Sequence, residues 1–442
     1  MFLTRMSLRQ DALEFINWFI FEVILNAIAS VDTSRASATA NSIKMAAFRF
    51  ILPALAIAAG VSAQSSSCSI SSTTTIQNSG DGRALASCTT FSGSIAIATG
   101  TTDTIDLSGI QEITGSLTAD SARMLPGLVS TDMTTIGSSF TLSNLSVLST
   151  LTFPSLSSVQ TIDWNGLPAL QGLTFTKGVQ MASSLSVQNT QLGSLSGINL
   201  AQVDTVVIAN NGYLNDINMQ LGNVTNNLRL QANGGKVVAT FPNLIWANNL
   251  DINNVTTFSV PSLAAVNKTL NLQSDYFTSF SAANLTSIGQ DLIIKDCSQL
   301  NNLSFPLLTT VTAALTVANN SKLTQISGFP QLNFVGGALD FTGNFSSATL
   351  PSIKTVRGTF NVQSQQNIDS TCSTFQSLAG INNVIQGPYT CNGTVANPTT
   401  EGGSSGTSSS SSSKSSTAAA SAMQLPAITG LLGVVAAVFG LL

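Results

Sequence analysis

The stretch that decides the fold runs from Phe241-Pro242-Asn243-Leu244 through Leu250-Asp251-Ile252 to Val260-Pro261-Ser262-Leu263 and Leu270-Asn271-Leu272. A short apolar-x-apolar segment follows a turn opened by proline, and the pair then repeats. Alternation at period two is the mark of a strand with one buried face. Proline has no N–H to donate, so it belongs at a corner or strand entrance. The same proline unit returns as Phe305-Pro306-Leu307-Leu308, Phe329-Pro330-Gln331-Leu332 and Leu350-Pro351-Ser352-Ile353.

Working outward, the strand core recurs from Ile95-Ala96-Ile97 to Phe360-Asn361-Val362. The steps are 22, 23, 22, 23, 21, 22, 22, 20, 22, 23, 24 and 21 residues. No unit holds a long helical period, and none can bury its apolar side alone. Stacking in register buries one continuous core. The expected fold is all-β: a right-handed parallel β-helix, or leucine-rich-like solenoid, of about 13 rungs with a 22-residue period. At a strand spacing of ~4.8 Å, twelve steps predict a stack about 58 Å long.

Asparagine follows many strands, at Asn144, Asn189, Asn210, Asn254, Asn319 and Asn344, with Cys297 near the same place. Leucine-rich repeats put Asn or Cys there, because a buried amide satisfies turn backbone groups. That role conflicts with glycosylation at Asn144, Asn254, Asn319 and Asn344, which also open Asn-x-Ser/Thr sequons. Glycans are therefore expected at Asn223, Asn267, Asn284, Asn302 and Asn392. Cys68 and Cys88 flank one end of the body, Cys372 and Cys391 the other. Pairing within each couple would staple a cap where strand edges need protection, although sequence leaves the connectivity open. Cys297 reads as a buried structural thiol; a nucleophilic cysteine would want a histidine base, and the chain has no histidine.

Both ends read as processing signals. Met45 to Arg49, the apolar run to Val61 and the small residues through Ala63 form a signal peptide, residues 45–63. Residues 1–44 read as an extension from an upstream start codon; a longer true leader is the alternative. The body spans 64–394, a Ser/Thr-rich stalk 395–416, and a lipid-anchor signal 417–442, with attachment near Ser415 or Ser416. The apolar tail lacks the basic flank of a stop-transfer helix.

Charged residues make up 8% of the chain and net charge is −4, so no basic surface exists for nucleic acid. Hydrophobic residues at 43% exclude disorder of the body. No metal-spaced cluster, phosphate loop or cofactor fingerprint appears. Parallel β-helices also host polysaccharide-cleaving enzymes, which need clustered carboxylates. Along the middle positions of the strands, Asp163, Asp251 and Asp340 stand four rungs apart, about 19 Å by strand spacing. Glycosidase carboxyls sit about 5–9.5 Å apart. Asp291 and Asp296 are the remaining acidic candidates; Arg229 beside Asp251 reads as a surface ion pair. Tyr213 and Tyr276 near turns are the better candidates for stacking on sugar, with Trp246 another, while Trp164 falls on an inward position. No catalytic residue is assigned.

Cys68-Ser-Ile-Ser-Ser-Thr-Thr-Thr-Ile76, Leu85-Ala-Ser-Cys88, Gly109-Ile-Gln-Glu-Ile113, the Phe-Pro-x-Leu repeats, the serine-rich stalk and the anchor tail occur together. In this combination the chain, over residues 64–442, resembles the fungal GPI-anchored cell-wall organisation and sporulation-specific proteins, whose repeats are similar to receptor L domains. The resemblance implies a non-enzymatic surface glycoprotein of plasma membrane and wall, needed for wall organisation and integrity. Its implied partners are wall polysaccharides, mannoproteins and, through the lipid, the outer leaflet. A receptor-like glycan- or protein-binding module is the alternative reading, and a polysaccharide-modifying β-helix enzyme the third.

Overall fold

The computed structural model describes residues 68–400. The expected signal peptide, the anchor signal, Ser415 and Ser416 lie outside the described residues. Within them the chain is a parallel β-solenoid, and each turn carries up to three strand segments. One turn runs through Leu250–Asn253, Thr257–Ser259 and Ala265–Val266 before Leu270–Gln273 begins the next. Leu250 pairs with Leu270, Asp251 with Asn271 and Ile252 with Leu272, all in parallel. Pro261 stands in the turn between the second and third segments, where its missing N–H costs no ladder bond.

The apolar-x-apolar segments form the main column. Their flanking residues turn inward and are almost fully buried: Leu228, Leu230, Leu250, Ile252, Leu270 and Leu272 are all 0% exposed. Full burial of such a side chain contributes about 1.5–3 kcal/mol, and every rung supplies several. Aromatics line one interior edge. Phe280 lies 5.6 Å from Phe305, and Phe305 stacks 5.2 Å from Phe329. Near the N-terminal end, Phe140 and Phe175 pack edge-on against Trp164, and Phe153 packs against both phenylalanines.

The repeat count extends one strand beyond each end of the thirteen read from sequence. Ser69–Ile76 pairs with Thr90–Ile97, and Tyr389–Asn392 pairs with Phe360–Ser364. Neither fits the repeat because each belongs to a cap. Cys68 is bonded to Cys88 and Cys372 to Cys391, with Cα–Cα distances of 5.4 and 5.5 Å. Both caps contain a helix, which a strand-and-turn reading leaves out. Helix α1 (Ser79–Ala84) is capped by the Asn78 side chain, which accepts from the backbone N–H groups of Gly80 and Asp81. Helix α2 (Asp369–Gln376) lays Phe375 across the open end of the core, 5.0 Å from Phe360. Past residue 394, where the body was expected to end, bonds to the solenoid continue. Val395 donates to the Ser364 carbonyl, and the Thr399 carbonyl accepts from Asn361 Nδ2 at 2.9 Å.

Candidate functional site

Two residues after the inner strand position, the chain turns a corner in left-handed conformation on rung after rung. Ser121, Asn144, Gly166, Asn189, Asn210, Ala232, Asn254, Ser274, Asp296 and Asn319 have φ between 51° and 73°. Asparagine is enriched there because its short side chain tolerates that region. This corrects the expected role of the strand-following asparagines. Asn144, Asn189, Asn210 and Asn319 are exposed, and Asn254 and Asn344 half-buried, so these amides are not the inward ones. The inward slot is the next residue. Asn211 and Asn320 are 0% and 3% exposed, and Asn233 is buried at 8%. None of these three opens a sequon, so the conflict between turn-bonding and glycosylation disappears.

The inward residues form a ladder with one rule. Each amide oxygen accepts the backbone N–H of the inward residue one rung back, and each amide nitrogen donates to the carbonyl ending the strand core of that rung. Asn211 accepts from Thr190 at 3.0 Å and donates to the Val187 carbonyl at 2.9 Å. Asn233 donates to the Ile208 carbonyl at 2.8 Å, and Asn320 to the Ile294 carbonyl at 2.9 Å. Cys297 follows the rule with its thiol, 3.7 Å from the Leu272 carbonyl. Burial pushes that thiol up to about 12, so it is an inert rung rather than a nucleophile.

Asp275 occupies the same slot. Its Oδ1 accepts from Val255 N–H at 3.0 Å, as the amides do. Its Oδ2 sits where the amide nitrogen would be, buried and without a hydrogen-bond partner. Burial, with Asp251 nearby, raises this carboxyl to about 8 against the partial opposing effect of the Val255 bond. In the neutral form the acid is an isostere of the ladder amide, with an O–H to donate.

The outward face of the main column follows in register through Asp163, Ser186, Val207, Arg229, Asp251, Asn271, Ile293, Thr316, Asp340 and Asn361. The three aspartates are thus four rungs apart. Arg229 Nε lies 3.4 Å from Asp251, an exposed pair of little energetic weight. Asp291 and Asp296 flank opposite ends of the strand Leu292–Lys295. Asp340 and Asn361, expected to face solvent, are 3% and 1% exposed. Asn361 donates to Asp340 at 3.0 Å and to the Thr399 carbonyl, because the segment after Cys391 doubles back over this end of the face.

Tyr213 and Tyr276 stand out at 65% and 46% exposure, Trp164 is enclosed in the core, and Trp246 is half-buried. Asn267, Asn284, Asn302 and Asn392 are exposed, and Asn223 is half-buried. Among the described residues, no group of three or more His, Cys, Asp or Glu is placed to hold a metal ion.

Sequence reading missed a groove of about 960 Å³ beside the main column. It runs over successive rungs from Thr135 to Ile245. Its origin lies in one backbone column, in which Gly222 N–H donates to the Ala201 carbonyl and Ile245 N–H to the Gly222 carbonyl, with Gln180 on the rung before. Two consecutive rungs there carry almost no side chain, while Met181 and Ile245 project beside them at 61% and 56% exposure. Aligning the repeats through their third segment would have exposed the small pair.

A family model described as Ecm33, GPI-anchored cell wall organization protein, matches residues 45–86. Protein ecm33 of Aspergillus fumigatus is 38% identical over 362 residues, covering 82% of this chain and 89% of the relative. The chain belongs to the Ecm33 family. A cell surface GPI-anchored protein of Arthroderma benhamiae is 36% identical over 357 residues, 80% of this chain and 90% of that one. Sporulation-specific protein 2 of Saccharomyces cerevisiae is 29% identical over 284 residues, 64% of this chain and 56% of that one. No solved structure matches the chain. Ecm33-family membership places the protein at the fungal cell surface and wall, with a function in wall organisation; the relatives carry no enzyme names.

Proposed function

We propose that the protein is a non-enzymatic wall component that holds wall polysaccharides and mannoproteins at the cell surface. The observation that carries this reading is the spacing of acids on the outward face. Asp163, Asp251 and Asp340 follow one another at four-rung intervals, about 19 Å, too far for paired acid–base work on a glycosidic bond. The surface is otherwise rich in Ser, Thr, Asn and Gln, side chains that exchange hydrogen bonds with hydroxyls. Purified protein incubated with wall glucan, chitin and mannan should be retained on at least one and release no oligosaccharide. Release of products would overturn the reading.

The mature protein in this proposal begins after Ala63, carries glycans among Asn223, Asn267, Asn284, Asn302 and Asn392, and is joined to lipid of the outer leaflet near Ser415 or Ser416. A start at Met45 draws support from the family match, which opens there. A chain ending after Ser405 should escape to the medium, and its retention on cells would refute the anchor. The exposed rings of Tyr213 and Tyr276 favour a second reading, a receptor-like module with one ligand. Saturable binding of a single glycan or protein, abolished by replacing those rings, would select it.

A further inference from the structure

We infer that the groove from Thr135 to Ile245 is the polysaccharide-binding site, and that its ligand is an uncharged glycan chain. This rests on the wall-binding role proposed above and adds where the chain is held. The lining fits that chemistry in three ways. First, Gln160, Gln180, Gln202, Gln220 and Asn243 present exposed amides along the groove. An amide offers both donors and an acceptor, which matches sugar hydroxyls that both donate and accept. Asn243 already donates to Gln220 Oε1 at 2.7 Å, so some of the row is held in place before a ligand arrives. Second, Met181 and Ile245 expose apolar surface against which the C–H face of a sugar ring can be buried. Third, the lining contains a single ionisable side chain, Asp204, one of whose carboxylate oxygens accepts from the Thr225 hydroxyl. The lining holds no cation for an anionic glycan and no second carboxylate for a cationic one.

The floor at Ala201 and Gly222 supplies the room. A Cβ on Gly222 would meet only the Ala201 carbonyl oxygen, at 3.6 Å, so the position tolerates a side chain and its bareness is not imposed by backbone crowding. Glycosylation leaves most of the trough open. Of the nine sequons, Asn144 alone falls between Cys68 and Gly222. It stands at the left-handed corner just past the strand Thr135–Ser143, seven residues from Gly137 of the lining, at most about 23 Å at strand rise. Asn223 stands beside the floor, so its own glycan is the competing occupant.

The test uses the full-length protein in detergent, with soluble β-glucan, chitin oligosaccharides and mannan as separate probes. Ala201→Gln with Gly222→Gln should fill the floor and weaken binding of the preferred probe at least tenfold, with unchanged melting temperature. Met181→Asp should weaken it similarly. Thr316→Gln, on the outward face of the main column, should leave affinity unchanged, and Asn223→Gln should change it less than twofold. If the wild type binds and the groove variants bind as well, the groove assignment fails while the wall-binding role stands. If the wild type binds none of the probes and Asn223→Gln does not restore binding, the wall-binding role itself fails. If only Asn223→Gln binds, the trough holds the protein's own glycan and the assignment is overturned.

Discussion

Asp275 shows how one atom changes a repeated interaction. The amides at Asn211, Asn233 and Asn320 donate to a carbonyl one rung back, and Cys297 does so with its thiol. An ionised Asp275 would put an acceptor where each of those has a donor. The unfolded chain releases this proton near 3.8 and the folded chain near 8. Between those values the folded state binds more protons, so stability falls as pH rises through the window and is level above it. The slope is at most about 1.4 kcal/mol per pH unit. Asp251, whose charge raises this carboxyl, and Asp296 and Cys297 one rung on, are the ionisable neighbours. Thermal melts from pH 4 to 9 should show the wild type losing stability and Asp275→Asn holding level, with the variant more stable at pH 9. A parallel decline in both would remove the ladder as its cause. Ala232 is the converse case, a side chain without a local hydrogen bond held at φ 51° on an exposed corner. Replacing it with Gly or Asn should raise stability by about 1 kcal/mol, read from denaturant midpoints.

Among the elements, the strands of the main column were legible in sequence and the caps only partly so. Leu-x-Leu recurs because each rung must present the same two side chains to the same core, and period two survives substitution among Leu, Ile, Val and Phe. The inward asparagines sit one residue later than the sequence pattern suggests, since Asn is favoured at the left-handed corner and in the buried slot for different reasons. In Asn210-Asn211 and Asn319-Asn320 the two preferences are adjacent. The groove was not legible, because it arises from side chains missing at neighbouring rungs some 21 residues apart rather than from any motif. The terminal elements carry their own prediction. The Cys372–Cys391 bridge closes a loop with a separation of 19 residues, for which chain entropy gives about 3 kcal/mol. Cys372→Ser with Cys391→Ser should lower the denaturation midpoint accordingly, with the first proteolytic cuts near α2.

Across the whole solenoid each rung touches mainly its two neighbours, so stability is shared between rungs and their interfaces. Opening should therefore start at the ends. Hydrogen exchange should show the strongest protection at central strands such as Ile198–Ala209 and Asn223–Gln231, declining toward Ser69–Ile76 and Tyr389–Asn392. Uniform protection along the column would instead indicate a single cooperative unit.

The backward course of residues 394–399 has a mechanical consequence. Tension applied from beyond Thr399 acts first on the bonds that hold this segment to Asn361, Gln363 and Ser364. These can break in succession, lengthening the tether without exposing the apolar interior. The load then reaches Cys391, whose bond to Cys372 passes it to α2. Tension from beyond Thr399 thus meets a short run of yielding bonds on the last rung, followed by a covalent stop in the terminal cap, before the ladders between rungs have to open.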